Sequence, residues 1–274
     1  MVMVAFLVAA CGDGGTVTPD AKPLPMADAG CEPGPDAAPS GKALGDVSGT
    51  WAIIELSYAV VSAPLTSVQI SRNLYTYDVT QTGADLTIVE RPCDIQVDDE
   101  AGSESTRMLP TLWANIPATN RIGQLVQDKG GAYHFTTQMA YRTRGITMAD
   151  IANDPMPDTD AGVADPRVED WDMDGNPGIT LLLTGILHGQ AYVVQRDWNQ
   201  YDAEQTSPDQ IEGHTTWDSE QTYLGSDPPA IRILNVQASP DPDASKHKVL
   251  LVRVPAGSNC SYVVANQCQL FNGK

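Results

Sequence analysis

An all-β fold, built as a single antiparallel domain that closes into a barrel or packs as a sandwich, is what the sequence predicts. Three observations predict it. From Gly49 onward the apolar runs are short, rich in β-branched residues and punctuated by Gly, Pro, Asn and Asp. Several alternate strictly, as in Leu74-Tyr75-Thr76-Tyr77-Asp78-Val79, which is the period of a strand with one buried face. Helical periodicity is weak, and no long-period repeat marks a solenoid or propeller.

Taken in order, strands are expected near Gly49–Val61, Ser67–Gln81, Asp85–Val97, Ala132–Arg142 and Ile179–Leu187. Others follow near Ala191–Gln200, His214–Leu224, Ile231–Gln237, Lys248–Val254 and Tyr262–Leu270. Arg121–Lys129, stopped by Gly130 and Gly131, has the best helical spacing, and Met148–Ala152 fits a single turn. A series of strands without long helices points to an antiparallel barrel or sandwich. Between two of them the segment from Asp150 to Gly178 is a long acidic insertion.

The segment before this domain reads differently. Val2 to Val8 is a short apolar run, too short to span a bilayer, and it leads to Val8-Ala9-Ala10-Cys11-Gly12. Small residues before a Cys resemble the lipobox of bacterial lipoproteins. That resemblance implies a signal peptide over residues 1–10 and lipidation of Cys11 as the new N-terminus. It makes the membrane a partner through the anchor. Gly12 after the Cys, by the sorting rule of Gram-negative lipoproteins, implies the outer membrane. Residues 11–45 are rich in Pro, Gly and Asp without apolar periodicity, so they read as an extended tether. The β domain then occupies residues 46–274.

Composition limits the partners. The chain has 274 residues with 16 Lys+Arg against 35 Asp+Glu, a formal net charge of −19. That balance argues against nucleic acid, whose phosphates call for a basic footprint. With Cys11 set aside, Cys31, Cys93, Cys260 and Cys268 form an even set suited to an oxidising compartment, and no CxxC pair suggests zinc. Cys260 and Cys268 are close enough in sequence to close a local hairpin, which is the expected disulfide. Cys31 could reach Cys93 or stay free.

Gly49-Thr50-Trp51 at the start of the first strand resembles the Gly-x-Trp signature of lipocalins. The resemblance implies a lipocalin-like barrel whose Trp51 plugs the closed end, with an Arg from a late strand packed over it. Arg253, in Leu250-Leu251-Val252-Arg253-Val254, is the candidate. The second lipocalin signature, Thr-Asp-Tyr, is absent.

The sharpest local chemistry lies in the acidic insertion. Asp150 to Gly175 holds nine acids and one base, Arg167. Within it, Asp170-Trp171-Asp172-Met173-Asp174-Gly175-Asn176 carries DxDxDG. Carboxylates two apart on a curling loop converge on one hard cation, and Gly supplies the sharp turn. Asp170, Asp172 and Asp174 are the candidate ligands, with the backbone carbonyl of Asn176 at the seventh position. Leu181 stands where an EF-hand places its bidentate Glu, and the flanks are not helices, so this is not an EF-hand. It looks more like the calcium loops set between β elements in extracellular repeat domains. Glu169, Asp165, a distant carboxylate or water would complete the shell. The expected cofactor is a structural Ca²⁺.

No GxSxG, HExxH, P-loop or GxGxxG motif is present, so no catalytic residue is assigned. His134, His188, His214 and His247 lack the close spacing of a metal site. Tyr133, Tyr141, Tyr192, Trp198, Tyr201, Trp217 and Tyr223 fall on the middle strands, where ordinary packing or the lining of a mouth would use them. The leading expectation is a non-enzymatic, lipid-anchored envelope protein. It would bind a small hydrophobic or glycan ligand, or a protein partner. An exported hydrolase and a purely structural surface module are the other classes.

Overall fold

Every strand pairing is antiparallel. The computed structural model describes residues 40–61, 67–158, 162–185, 188–233 and 238–271. The expected signal segment, Cys11, Cys31 and most of the tether lie outside the described residues. β1 (Gly49–Val61), β2 (Ser67–Thr82) and β3 (Asp85–Asp99) form a meander. They are followed by β4 (Ser105–Met108), the short helix α1 (Leu112–Asn115), β5 (Thr119–Gln127), β6 (Tyr133–Thr137) and β7 (Ala140–Arg144). After the acidic insertion come β8 (Ile179–Thr184), β9 (Gly189–Ser207), β10 (Gln210–Asp227) and α2 (Ala230–Ile233). β11 (Ala238–Pro240), β12 (Lys248–Arg253) and α3 (Cys260–Phe271) complete the described chain.

The class is all-β, and the pairings return on themselves. β10, β12, β1, β2, β3, β5, β6 and β9 pair in that order, and β9 pairs β10 again. Towards the other end β4 and β8 take the place of β5 and β6 between β3 and β9. β7 pairs β9 midway, along Gln195–Asn199. The 19 residues of β9 therefore meet β8, β7 and β6 in turn along one edge while β10 runs along the other.

Alternation sorts the side chains. Trp51 and Ile53 of β1 face inward and join Tyr75, Tyr77, Leu86, Ile88, Phe135, Tyr201, Ile211 and Leu251 in the main core. Ala52 and Ile54 face outward, where α3 covers them with Val263 and Phe271. A strand buried on both faces reads as a continuous apolar run, which is what Trp51–Ile54 is. In β3 the partner register skips Cys93, since Leu74 faces Asp94 while Tyr75 faces Pro92. This bulge resets the phase, so Glu90 and then Ile95 both point inward while Cys93 points out.

At the start of β1 Arg253 stacks on Trp51, its Cζ 4.2 Å from the ring centroid. The guanidinium also donates to the carbonyls of Ser48 (2.6 Å), Asp46 (2.7 Å) and Pro208 (3.0 Å). It thus ties the chain entering β1 to the β9–β10 turn. Gly49 sits at φ +125° beside it, and a Cβ there would lie 3.1 Å from Arg253 Nη1.

Three expected elements are corrected. Arg121–Lys129 is not a helix: Arg121–Gln127 lies in β5, where Arg121, Gly123 and Leu125 face inward while Ile122 and Val126 are exposed, and Asp128 and Lys129 belong to the turn that follows. The apolar residues that suggested helical spacing lie on opposite faces of a strand. Tyr262–Leu270 is not a strand but lies in α3; Asn259 Oδ1 accepts from Tyr262 N (3.1 Å) and caps it. Ile231 begins within α2, after Pro228-Pro229, rather than in a strand. The cysteines change with α3. Cys260 is joined to Cys93, with Cα atoms 4.9 Å apart, and not to Cys268. Eight residues along a helix separate two Cα atoms by roughly 12 Å, beyond disulfide reach. Cys268 is disulfide-bonded independently of Cys260.

Candidate functional site

Above the apolar core, the inward positions turn polar and ionic. Arg121 of β5, Glu90 of β3, Arg142 and Arg144 of β7 and Asp197 of β9 form a ladder across the seam between β3 and β9. Arg142 Nη1 donates to Glu90 Oε1 (2.5 Å), and its Nε and Nη2 donate to Asp197 Oδ2 (2.8 and 2.6 Å). Arg144 Nη1 donates to Asp197 Oδ1 (2.5 Å). Arg121 Nη1 lies 3.4 Å from Glu90 Oε2 and donates to Tyr77 OH (2.7 Å), which itself donates to Glu90 (2.6 Å). Arg121 also lies over the Tyr201 ring, and Arg142 over Tyr75.

These contacts set the charges. Burial alone would raise Glu90, but Arg142 and Arg121 overcome it and hold the carboxyl below its ordinary value. Asp197 follows the same logic with Arg142 and Arg144. Glu55 on β1 is the exception. It accepts from Asn199 Nδ2 (2.6 Å), Tyr201 OH (2.7 Å) and Ser57 Oγ (3.0 Å) but touches no guanidinium directly. Burial dominates, and its carboxyl is raised.

Arg142, Asp197 and Arg144 of the ladder lie at the floor of a cavity of about 220 Å³. Glu55, Arg142, Arg144, Asp197 and Asn199 line its base; Ser71, Asn73, Gln195, Trp217 and Gln221 line its sides. Ile95, Val97, Met108, Leu181, Leu183 and Tyr223 supply an apolar wall near the mouth. The cavity is therefore two-sided, able to hold an apolar body against one wall and present hydrogen-bonding groups at its base.

The acidic insertion packs on the outer face of β9 and β10: Arg196 Nη1 donates to the carbonyls of Ile151 and Asp154, and Thr222 Oγ1 to that of Pro157. At its end, one carboxylate oxygen each from Asp170, Asp172 and Asp174 lies within 4.8 Å of the other two. Gly175 takes φ +88°, as the sharp turn requires. Asp172 is buried; its Oδ2 accepts from Thr180 N (2.6 Å), while its Oδ1 has no hydrogen-bond partner among the described residues. Burial first, then Asp174 and Asp170, push its carboxyl up to about 6. Asn176 donates through N and Nδ2 to Asp174 (2.8 and 3.1 Å). This cluster could hold a metal ion. Asp165 is engaged by Arg167 (2.7 Å) and Glu169 by Trp171 Nε1 (3.3 Å). Compared with family models, characterised proteins and solved structures, the chain matches none.

The other residues singled out in the sequence scatter. Tyr201 belongs to the core, Trp217 and Tyr223 line the cavity, and Tyr141 stacks on Trp198 with centroids 5.7 Å apart. His247 is structural: Nδ1 accepts from Trp217 Nε1 (3.1 Å), and Nε2 meets the Asp241 carbonyl (2.8 Å). His134 pairs with Asp128 at the surface. Sequence reasoning missed Glu55, Arg142, Arg144 and Asp197. The available signal was a charged residue at an inward position of an alternating strand, as Glu55 is within Ile53-Ile54-Glu55-Leu56.

The raised carboxyl of Glu55 has a pH signature. Its ordinary value is 4.5, so the stability it gives is fully present below that pH and lost as pH rises through the folded value. Glu55→Gln cannot ionise. Its thermal midpoint relative to wild type should climb as pH rises above 4.5. A constant offset over that range would mean that Glu55 ionises as freely folded as unfolded.

Proposed function

We propose that this is a non-enzymatic, lipid-anchored cell-envelope protein that binds a small ligand within its ring of strands. In this reading the ring is a lipocalin-like barrel, Cys11 carries the lipid at the outer membrane, and calcium occupies the Asp170–Asp172–Asp174 loop. The observation that carries the binding function is the cavity. It lies inside the ring and combines an apolar wall with a polar base. The stack of Arg253 on Trp51 and the pairing of successive ring strands in chain order support the lipocalin-like reading.

Calcium is favoured by an all-oxygen set at close quarters and by the orphaned Asp172 Oδ1. Magnesium would demand a tighter, near-ideal octahedron of ligands than calcium does. The role is structural. Asp172 and Asp174 hold Thr180, through its N and its Oγ1 (2.6 and 2.5 Å), and Thr180 directly precedes the cavity residue Leu181 in β8. Three carboxylates brought together repel one another, and a cation removes that repulsion where the wall strand begins.

Three measurements test this reading. Protein purified from its own source should show, in native mass spectra, a small-molecule adduct that denaturation removes; a mass of polypeptide and lipid alone would remove the carrier role. Calcium at saturating concentration should raise the thermal midpoint by several degrees, and Asp172→Ala should abolish the rise. Equal responses in both proteins would place the ion elsewhere. Incorporation of a palmitate analogue should disappear in Cys11→Ala, and label that persists would contradict the anchor.

A further inference from the structure

The lining of the cavity is acidic. Seven carboxylates border it against two guanidiniums, Arg142 and Arg144, and no lysine. Both arginines are spent on Asp197, and Arg142 also serves Glu90 beneath. Asp98 is taken by Arg72 and Arg107, and Glu220 by Arg196. With these outer arginines counted, seven acids still face five bases. Glu55, Asp99, Glu104 and Asp218 pair with no cationic side chain among the described residues. The field inside therefore favours positive charge, and the net charge of −19 on the whole chain adds to it.

Of those four acids only Glu55 is buried, at 2% exposed. Its Oε2 holds Asn199 and Tyr201, while Oε1 accepts from Ser57 Oγ (3.0 Å). Arg142 and Arg121 act on it from a distance and burial outweighs them, so this carboxyl lacks a counterion in contact. The hydroxyls beside it are spent as donors. Ser57 and Ser71 face each other in the β1–β2 register, one step beyond Glu55 and Asn73. Ser57 gives its one proton to Glu55, and Ser71 gives its own to Asn73 Oδ1 (2.8 Å), so both present lone pairs to the cavity they line. An ammonium matches this corner, since it carries positive charge and has three donors and no acceptor. Trp217, fixed through Nε1 on His247, and Tyr223 add aromatic surface of the kind that attracts a cation.

We propose that the cavity takes a primary amine with an apolar body, its ammonium seated among Glu55, Ser57 and Ser71 and its chain along the wall of Ile95, Val97, Leu181 and Leu183. This rests on the ligand-binding reading above and adds the class of the ligand.

Isothermal titration of the whole protein at pH 7 with octylamine, octanol and octanoate, which share one chain and differ in head group, tests it. Octylamine should bind roughly ten- to a hundredfold more tightly than octanol, the margin of a charge-assisted hydrogen bond, and octanoate should bind most weakly. Glu55→Gln should bring octylamine down to octanol, and Leu183→Trp, which fills the wall, should weaken both alike. Octanol matching octylamine, or octanoate binding tightest, overturns the amine and leaves the cavity reading standing. An amine preference that survives Glu55→Gln, or that Leu183→Trp leaves untouched, places the cation elsewhere on an acidic surface and overturns the seat. No binding of any probe at millimolar concentration overturns the amine, and the native mass spectra then judge the wider reading alone. Should Glu55→Gln fail to fold, the order of the three probes on the wild type and their response to Leu183→Trp still decide.

Discussion

The ladder Arg121–Glu90–Arg142–Asp197–Arg144 is the constraint on which the ring depends. Between β3 and β9 no single strand bridges the full height of the wall; β5 and β6 do so at one end, β4 and β8 at the other. The middle is held by β7 on β9 and by guanidinium–carboxylate bonds from β7 to β3. Burying these charges is costly, and the geometry recovers that cost only when all members are in place. Removing one leaves its neighbour charged and dry. The ladder therefore specifies the seam more than it adds to stability, because any shift of β7 relative to β3 by one residue would turn its arginines outwards.

That same layer divides the interior. Below it the core is closed by Tyr75, Tyr77 and Tyr201, whose rings face apolar neighbours while their hydroxyl ends or faces meet the ions. Above it packing stops and the cavity begins. A polar floor that cannot be covered by apolar side chains without leaving donors unsatisfied is a physical reason for an opening there.

Alternation and turn residues made the strands legible: β1, β2, β3 and β12 sit close to where the sequence placed them, and β9 and β10 extend further. The contact of Arg253 with Trp51 was legible too, from Gly-x-Trp and one Arg late in the chain. The convergence of Asp170, Asp172 and Asp174 followed from spacing alone, since loop carboxylates two apart need no distant partner. What stayed hidden was set by tertiary contacts. Arg142-Thr143-Arg144 reads as a solvated edge until β3 and β9 supply Glu90 and Asp197. Val263-Val264 reads as strand until the outer face of β1 offers a surface for a helix, and with the helix goes the local pairing of Cys260. Ile122 and Val126 misled because this strand buries an arginine and exposes aliphatics, an inversion that only the ladder explains.

The tie made by Arg253 also gives the molecule two unlike poles. Ser40 N bonds Asp209 in the β9–β10 turn, so the chain enters at the pole where Trp51 is capped. The cavity extends towards the other, where Ala59, Gln69, Thr184 and Ala238 line it. A pull on the chain at Ser40 would therefore load the guanidinium clamp at the first pole, and not the strand ends that surround the cavity at the second.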